Sequence, residues 1–166
     1  GTGKTMLAWS IASELGLGSP LEFHTRSDNS ARDALYEFDY MLRFYHAQTR
    51  DTRAENLESY IRWRALGDAI RGATQRVVLI DEIDKAPRDF SNDLLNEIDR
   101  MAFRAPELGN IATPGLDDPA EGISSELRPI VIVTSNSEKG LPDPFLRRCV
   151  YYHIPFPTAE ELREII

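Results

Sequence analysis

The chain has 166 residues, 42% hydrophobic and 28% charged, a composition that suits one globular domain and excludes disorder or a fibrous repeat. No apolar run approaches the roughly 18 residues needed to cross a bilayer, and the single cysteine, Cys149, excludes an internal disulfide or a cysteine metal cluster, so the chain reads as one from a reducing, cytoplasmic setting. The net charge of −8 is uneven: residues 1–76 carry 10 basic and 10 acidic side chains and residues 77–166 carry 9 and 17, which argues against a nucleic-acid face with its clustered positive field.

The chain opens on Gly1-Thr2-Gly3-Lys4-Thr5 and closes on a helical pattern, Ala159 to Ile166, that has no capping signal; both ends read as cuts through something longer. Thr5 to about Leu15 is apolar at helical spacing through Met6, Leu7, Ile11 and Leu15, and Gly16 and Gly18 stop it. Leu21 to Thr25 alternates and reads as a short strand. Ala31 to about Gln48 follows capping residues and places Leu35, Phe38, Leu42 and Tyr45 on one helical face. A polar loop over 49–58 leads to a second helical pattern from Tyr60 to Ile70, weakened by Gly67.

Val77 to Ile80 is a continuous aliphatic run, the pattern of a strand buried on both faces of a parallel sheet. Pro87 marks a helix start, and Phe90, Leu94, Leu95, Ile98 and Met101 supply its stripe. Residues 104–128 hold three prolines and three glycines with no core stripe, the mark of a long functional connection. Ile130 to Thr134 is another buried strand, Pro144 to Arg148 a short helix, and Val150 to Ile154 a last strand. Strands alternating with helices imply an α/β fold on a parallel sheet.

Gly1-Thr2-Gly3-Lys4-Thr5 before a helix matches the tail of the phosphate-binding loop G-x-x-x-x-G-K-[ST], whose first glycine would precede Gly1. Glycines let backbone N–H groups turn toward an anion, and the helix N-terminus adds its positive dipole end. Lys4 would bring a point charge to the β- and γ-phosphates, and the Thr5 hydroxyl would ligate Mg2+. The bland alternative is a glycine-rich turn with a solvated lysine. Val77 to Ile80 followed by Asp81-Glu82 has the hhhhDE form of a Walker B strand. Strand ends of a parallel sheet converge on one crevice. There Asp81 could hold Mg2+, usually through water, and Glu82 could polarise an attacking water. The two motifs together indicate nucleoside triphosphate binding.

Asn136, just past the strand that ends in Thr134, either orients that water or is an asparagine favoured in a turn. Arg147 and Arg148 either supply a guanidinium to a transferring phosphoryl group, from a neighbouring subunit, or are surface arginines paired with carboxylates. His24, His46 and His153 lie far apart without carboxylate or cysteine spacing, so no metal centre is expected at them. Tyr36, Phe38, Tyr40, Phe44 and Tyr45 read as helix core and rim, and Trp63 as a partly buried anchor or an interface contact.

GTGKT, VVLIDEID, TSN and LPDPFLRRC, in that order and spacing, resemble the AAA+ ATPases, and among them the MoxR-like group of the helix-2-insert clade. The resemblance covers nearly the whole chain. It implies a P-loop NTPase three-layer α/β/α sandwich, residues 1–166 forming one AAA+ core whose sheet is ordered 5-1-4-3-2, with the first strand and the C-terminal helical lid outside this chain. It implies ATP and Mg2+ as ligands, with Gly1, Thr2, Gly3, Lys4, Thr5 and Met6 at the nucleotide, Thr5 and Asp81 at the metal, Glu82 as catalytic carboxylate and Asn136 as sensor 1. Arg148 aligns best with the family's arginine finger. MoxR-like proteins often have Asp-Arg-Phe there, whereas Arg147 and Cys149 flank it here, so Arg147 and Arg148 both stay candidates. Inserts facing a pore or a client are expected over 49–67 and 104–128.

The function this resemblance implies is Mg2+-dependent ATP hydrolysis by a homo-oligomer, a hexameric ring, that remodels a protein client, one class of which bears a von Willebrand factor A domain. Two alternatives belong to other classes: a nucleotide-gated binding scaffold with little hydrolysis, and a DNA-directed motor or restriction-type GTPase subunit.

Overall fold

The computed structural model describes residues 3–109, 123–136 and 141–155. At its centre three parallel strands run in the order β1-β4-β5: β1 is Leu21–His24, β4 is Val77–Asp81 and β5 is Ile130–Val133. This agrees with the 2-3-4 stretch of the sheet order that the resemblance implies. Parallel strands require helical crossovers, and α1 (Lys4–Glu14), α3 (Ala65–Arg71) and α4 (Arg88–Arg100) supply the helices around the sheet.

The strand period of two divides β4 between two cores. Val77 and Leu79 pack with Ala8 and Ala12 of α1 on one face, and Ile130 and Ile132 join them. Val78 and Ile80 point the other way, into a larger cluster with Leu66, Ile70, Phe90 and Leu94. Phe23 of β1 stacks on Phe90 of α4 with centroids 6.1 Å apart. All of Val77 to Ile80 is fully buried, as a strand with helices on both sides requires. β5 is only half-buried along its length. The face that α1 buries is its alanines; Met6, Leu7 and Leu15, expected in its apolar stripe, are exposed, and Ile11 is half-buried.

The single helix expected over 31–48 is three elements. A 3-10 turn at Ala31–Ala34 begins where the Asp33 carboxylate accepts from the Ser30 N–H at 2.7 Å and hydroxyl at 3.1 Å. It leads into β2 (Tyr36–Phe38), and only then into α2 (Tyr40–Gln48), which starts afresh where Asp39 accepts from the Leu42 N–H at 2.8 Å. Tyr36 and Phe38 alternate inward around an exposed Glu37, and β2 pairs antiparallel with β3 (Ile61–Trp63). The helical spacing of Leu35, Phe38, Leu42 and Tyr45 was therefore coincidental: the first two are buried and the last two exposed. Residues 49–58, expected as a loop, include a 3-10 turn at Thr52–Glu55 and lead into a second at Leu57–Tyr60. Tyr60 to Ile70 likewise divides between β3 and α3. Gly67 has a packing reason to be glycine, because a Cβ there would lie 1.9 Å from the Leu35 carbonyl oxygen.

α4 starts after Pro87 as expected, buries Phe90, Leu94 and Leu95, and ends at Met101 in a left-handed cap. α5 (Asp143–Leu146) is the short helix expected near Pro144. Residues 150–154 form no strand. Val150, Tyr151 and Tyr152 are exposed, and β-branched and aromatic residues make a strand only when a partner pairs with them. Gly1, Thr2, most of the segment 104–128 and the helical pattern at 159–166 lie outside the described residues. No helix among the described residues is long and apolar enough to cross a membrane.

Candidate active site

The register of the sheet lines up the three strand ends. His24 pairs with Asp81 and Ile80 with Val133, so His24, Asp81 and Thr134 stand side by side at the carboxyl edge. The N-terminus of α1 lies against that edge. Gly3 makes the entry turn at φ 75°, a left-handed conformation that glycine adopts without steric cost, and Lys4 and Thr5 follow in the first helical turn.

Five of the residues singled out in the sequence converge here. Thr5 Oγ1 donates to Asp81 Oδ1 at 3.3 Å. Lys4 Nζ donates to the Ser135 carbonyl at 2.7 Å and to Asn136 Oδ1 at 3.1 Å. The Nδ2 of Asn136 donates to Glu82 Oε1 at 3.3 Å. Lys4, Asn136 and Glu82 thus form one chain of polar contacts that runs from α1 to β5 and on to the end of β4. Glu82 Oε2 is paired with Lys85 Nζ at 2.5 Å.

Glu82 itself is held at φ 56°, ψ 48°. A residue with a side chain incurs about 1–2 kcal/mol in that region and stays there only where its surroundings demand it. Its N–H donates to Thr134 Oγ1 at 2.9 Å, and the same hydroxyl donates to Asp81 Oδ1 at 2.5 Å. The next carboxylate, Asp84, is 3% exposed. One of its oxygens accepts the Asn136 N–H at 3.0 Å, while the other is buried without a hydrogen-bond partner among the described residues.

The donor set fits a magnesium triphosphate. An ammonium and a helix N-terminus suit the phosphate oxygens. One hydroxyl and one carboxylate suit a hard cation that keeps most of its shell as water and phosphate oxygen. When bound, Mg2+ would supply positive charge against the charge that develops on the phosphate. The residues that would hold it are Thr5 and Asp81.

The side chains of Met6, Arg147 and Arg148 make none of these contacts. The side chain of Met6 is exposed. Arg148 is tied within its own chain, with Nε 2.8 Å from Asp99 Oδ2 and Nη1 donating to the Pro144 carbonyl at 3.3 Å. Arg147, its neighbour, is exposed and has no polar side-chain partner among the described residues. Gly1 and Thr2 lie outside the described residues.

Four residues near the carboxylates escaped the sequence reading. Thr134 and Asp84 are two. Lys85 is the third, and its only signal was the i,i+3 spacing from Glu82. His24, read from linear spacing as lacking carboxylate partners, is the fourth. Its Nδ1 lies 3.5 Å from Asp81 Oδ2 and its Nε2 lies 3.3 Å from Glu22 Oε2, so it does have carboxylate neighbours. The Asp81 contact crosses from one strand to the next and leaves no trace in linear spacing. Trp9 Nε1 donates to the same Glu22 at 2.7 Å. Two contacts of the other aromatics belong to the packing: His46 Nδ1 lies 2.8 Å from the Tyr60 hydroxyl in a buried contact, and the Arg71 guanidinium, its pKa lowered by burial, sits 3.9 Å above the Trp63 ring.

A family model described as "ATPase family associated with various cellular activities (AAA)" matches residues 1–158. No sequence among the curated proteins matches.

Proposed function

Because the chain belongs to the AAA family of ATPases, whose general activity is nucleotide binding and hydrolysis, we propose that ATP hydrolysis takes place at the carboxyl edge of the β1-β4-β5 sheet. In this reading Gly1 to Met6 wrap the phosphates, with Lys4 Nζ on the β- and γ-phosphate oxygens. Thr5 and Asp81 hold Mg2+. Glu82 accepts the proton of the attacking water at its carboxylate, and Asn136 orients that water through its amide. The observation that carries the reading is the contact chain from Lys4 through Asn136 to Glu82, which joins residues 132 and 54 positions apart around one edge.

The test is Glu82→Gln, measured by steady-state phosphate release and by ATP binding. Turnover should fall by about 100-fold or more while ATP binding is retained. Unchanged turnover would overturn the assignment of the base.

The finer reading is that residues 1–166 form one core of a MoxR-like, ring-forming ATPase, cytoplasmic and hexameric, that remodels a protein client such as one bearing a von Willebrand factor A domain. What supports a ring is the position of the two arginines. With Arg148 engaged by Asp99, Arg147, the cap residue that follows α5, is the exposed guanidinium without a side-chain partner among the described residues, and it is the one read as reaching the phosphates of a neighbouring subunit. Sedimentation with and without ATP tests the assembly: a single species at monomer mass under both conditions would overturn it. Capture of a purified von Willebrand factor A domain in the presence of ATP tests the client.

A further inference from the structure

Thr134 is hydrogen-bonded to each of the four residues from Ile80 to Ile83. Its N–H donates to the Ile80 carbonyl at 2.9 Å, and its carbonyl accepts from the Ile83 N–H at 3.0 Å. Its hydroxyl accepts from the Glu82 N–H at 2.9 Å and donates to Asp81 Oδ1 at 2.5 Å. The residue is 7% exposed. A hydroxyl is well suited to this place, because it has one proton to give a carboxylate and lone pairs left for an amide.

The backbone of Glu82 is in the left-handed region, which sets the direction in which its side chain leaves the strand end. Positions of this kind persist when neighbouring groups over-determine them. The group that meets the Glu82 N–H is the Thr134 hydroxyl, and the same hydroxyl fixes the Asp81 carboxylate. We propose that Thr134 is a positioning residue of the hydrolytic reaction: from the neighbouring strand, its single hydroxyl aims both carboxylates, the one read as metal ligand and the one read as base. The proposal rests on the reading of Asp81 and Glu82 given above.

The two backbone bonds of Thr134 survive any substitution except proline, so the strand stays anchored while the hydroxyl is removed. Valine fills the same volume without donor or acceptor, and serine restores both. In the full chain, Thr134→Val should lower kcat by about 10- to 100-fold and raise the Mg2+ concentration for half-maximal turnover by about 3-fold or more, the usual cost of losing a group that orients a metal ligand. Binding of a fluorescent ATP analogue without Mg2+ should change by less than about 3-fold, and Thr134→Ser should recover most of the turnover. In a Glu82→Gln background, Thr134→Val should lower kcat by less than it does alone, while the raised Mg2+ requirement, which comes through Asp81, should persist. A purely structural residue would instead lower stability without moving the Mg2+ dependence in either background. Should Thr134→Val fold poorly by urea titration, Thr134→Ala replaces it with the same expectations.

Turnover and Mg2+ dependence near wild type in Thr134→Val, alongside an inactive Glu82→Gln, would overturn the proposal alone. Failure of serine to restore turnover would do the same. Full turnover in Glu82→Gln would overturn the reading of the base, and with it this proposal.

Discussion

Lys4 and Asn136 meet across 132 positions of chain, Nζ to Oδ1 at 3.1 Å, and the other end of the same amide donates to Glu82 Oε1 at 3.3 Å. The amide has a donor end and an acceptor end, and the two neighbours settle which way it lies: oxygen toward the ammonium, nitrogen toward the carboxylate. In the proposed reaction Asn136 therefore touches the phosphate-binding ammonium at one end and the base at the other. Asn136→Ala should lower kcat by about 100-fold, as loss of a preorganised donor does, with ATP binding changed by less than about 3-fold. Phosphate release and calorimetric titration on the same sample check both numbers.

Lys4 has a different expected signature. In the proposed reading its ammonium is the charge brought to the phosphates, so its removal should weaken ground-state binding as well as reaction. Lys4→Ala should raise the ATP dissociation constant by about 10-fold or more, since a hydrogen bond to a charged group is worth about 1.5–3 kcal/mol. Calorimetry shows this directly.

The two adjacent arginines should separate cleanly. Arg148 and Asp99 are each about half exposed and 2.8 Å apart. Arg148→Ala should therefore cost no more than about 1 kcal/mol in urea unfolding, with turnover little changed. Arg147→Ala should leave stability alone and remove the concentration-dependent part of ATP turnover, by about 1000-fold if it serves a neighbour's phosphates. The reverse pattern would transfer the role to Arg148.

Gly67 tests the packing around β2. A methyl group there meets the backbone oxygen of Leu35, which cannot turn aside as a side chain would. Gly67→Ala should lower the unfolding free energy by about 1–3 kcal/mol despite alanine's better helix propensity, seen as an earlier urea midpoint.

Tyr36 gives a pH dependence. Burial pushes its phenol up to about 12, reinforced by its hydrogen bond to the nearby Glu107 carboxylate. The folded state therefore holds that proton more tightly than the unfolded chain. Its contribution to stability is complete below about pH 10, the ordinary phenol value, and is lost as pH rises toward about 12. Urea midpoints between those limits should fall with pH in the wild type and fall less in Tyr36→Phe.

What sequence alone could show was local. Val77 to Ile80 is apolar at every position, and only a strand covered on both faces explains that run in an α/β chain. Glycine before lysine and threonine, and carboxylates directly after the strand, carry their chemistry in adjacent residues. The helix after Pro87 has the same local character. Where local patterns competed, the tertiary structure decided. Residues 31–48 satisfy a helical period, yet Tyr36 to Phe38 became a strand because β3 offers backbone partners and the core accepts Tyr36 and Phe38 on one side. Val150 to Ile154 has strand composition but no pairing among the described residues.

At the candidate site the division is the same. The sequence by itself determined which functional groups the chain owns and in what order they come: an ammonium, a hydroxyl, two carboxylates, an amide and two guanidinium groups. The tertiary structure alone decided which atoms meet. It set the His24–Asp81 register, turned Asp84 inward under Asn136, and placed one threonine hydroxyl between Asp81 and Glu82. Those contacts join strands more than 50 residues apart, and their geometry follows from sheet register and helix packing, which no linear spacing encodes.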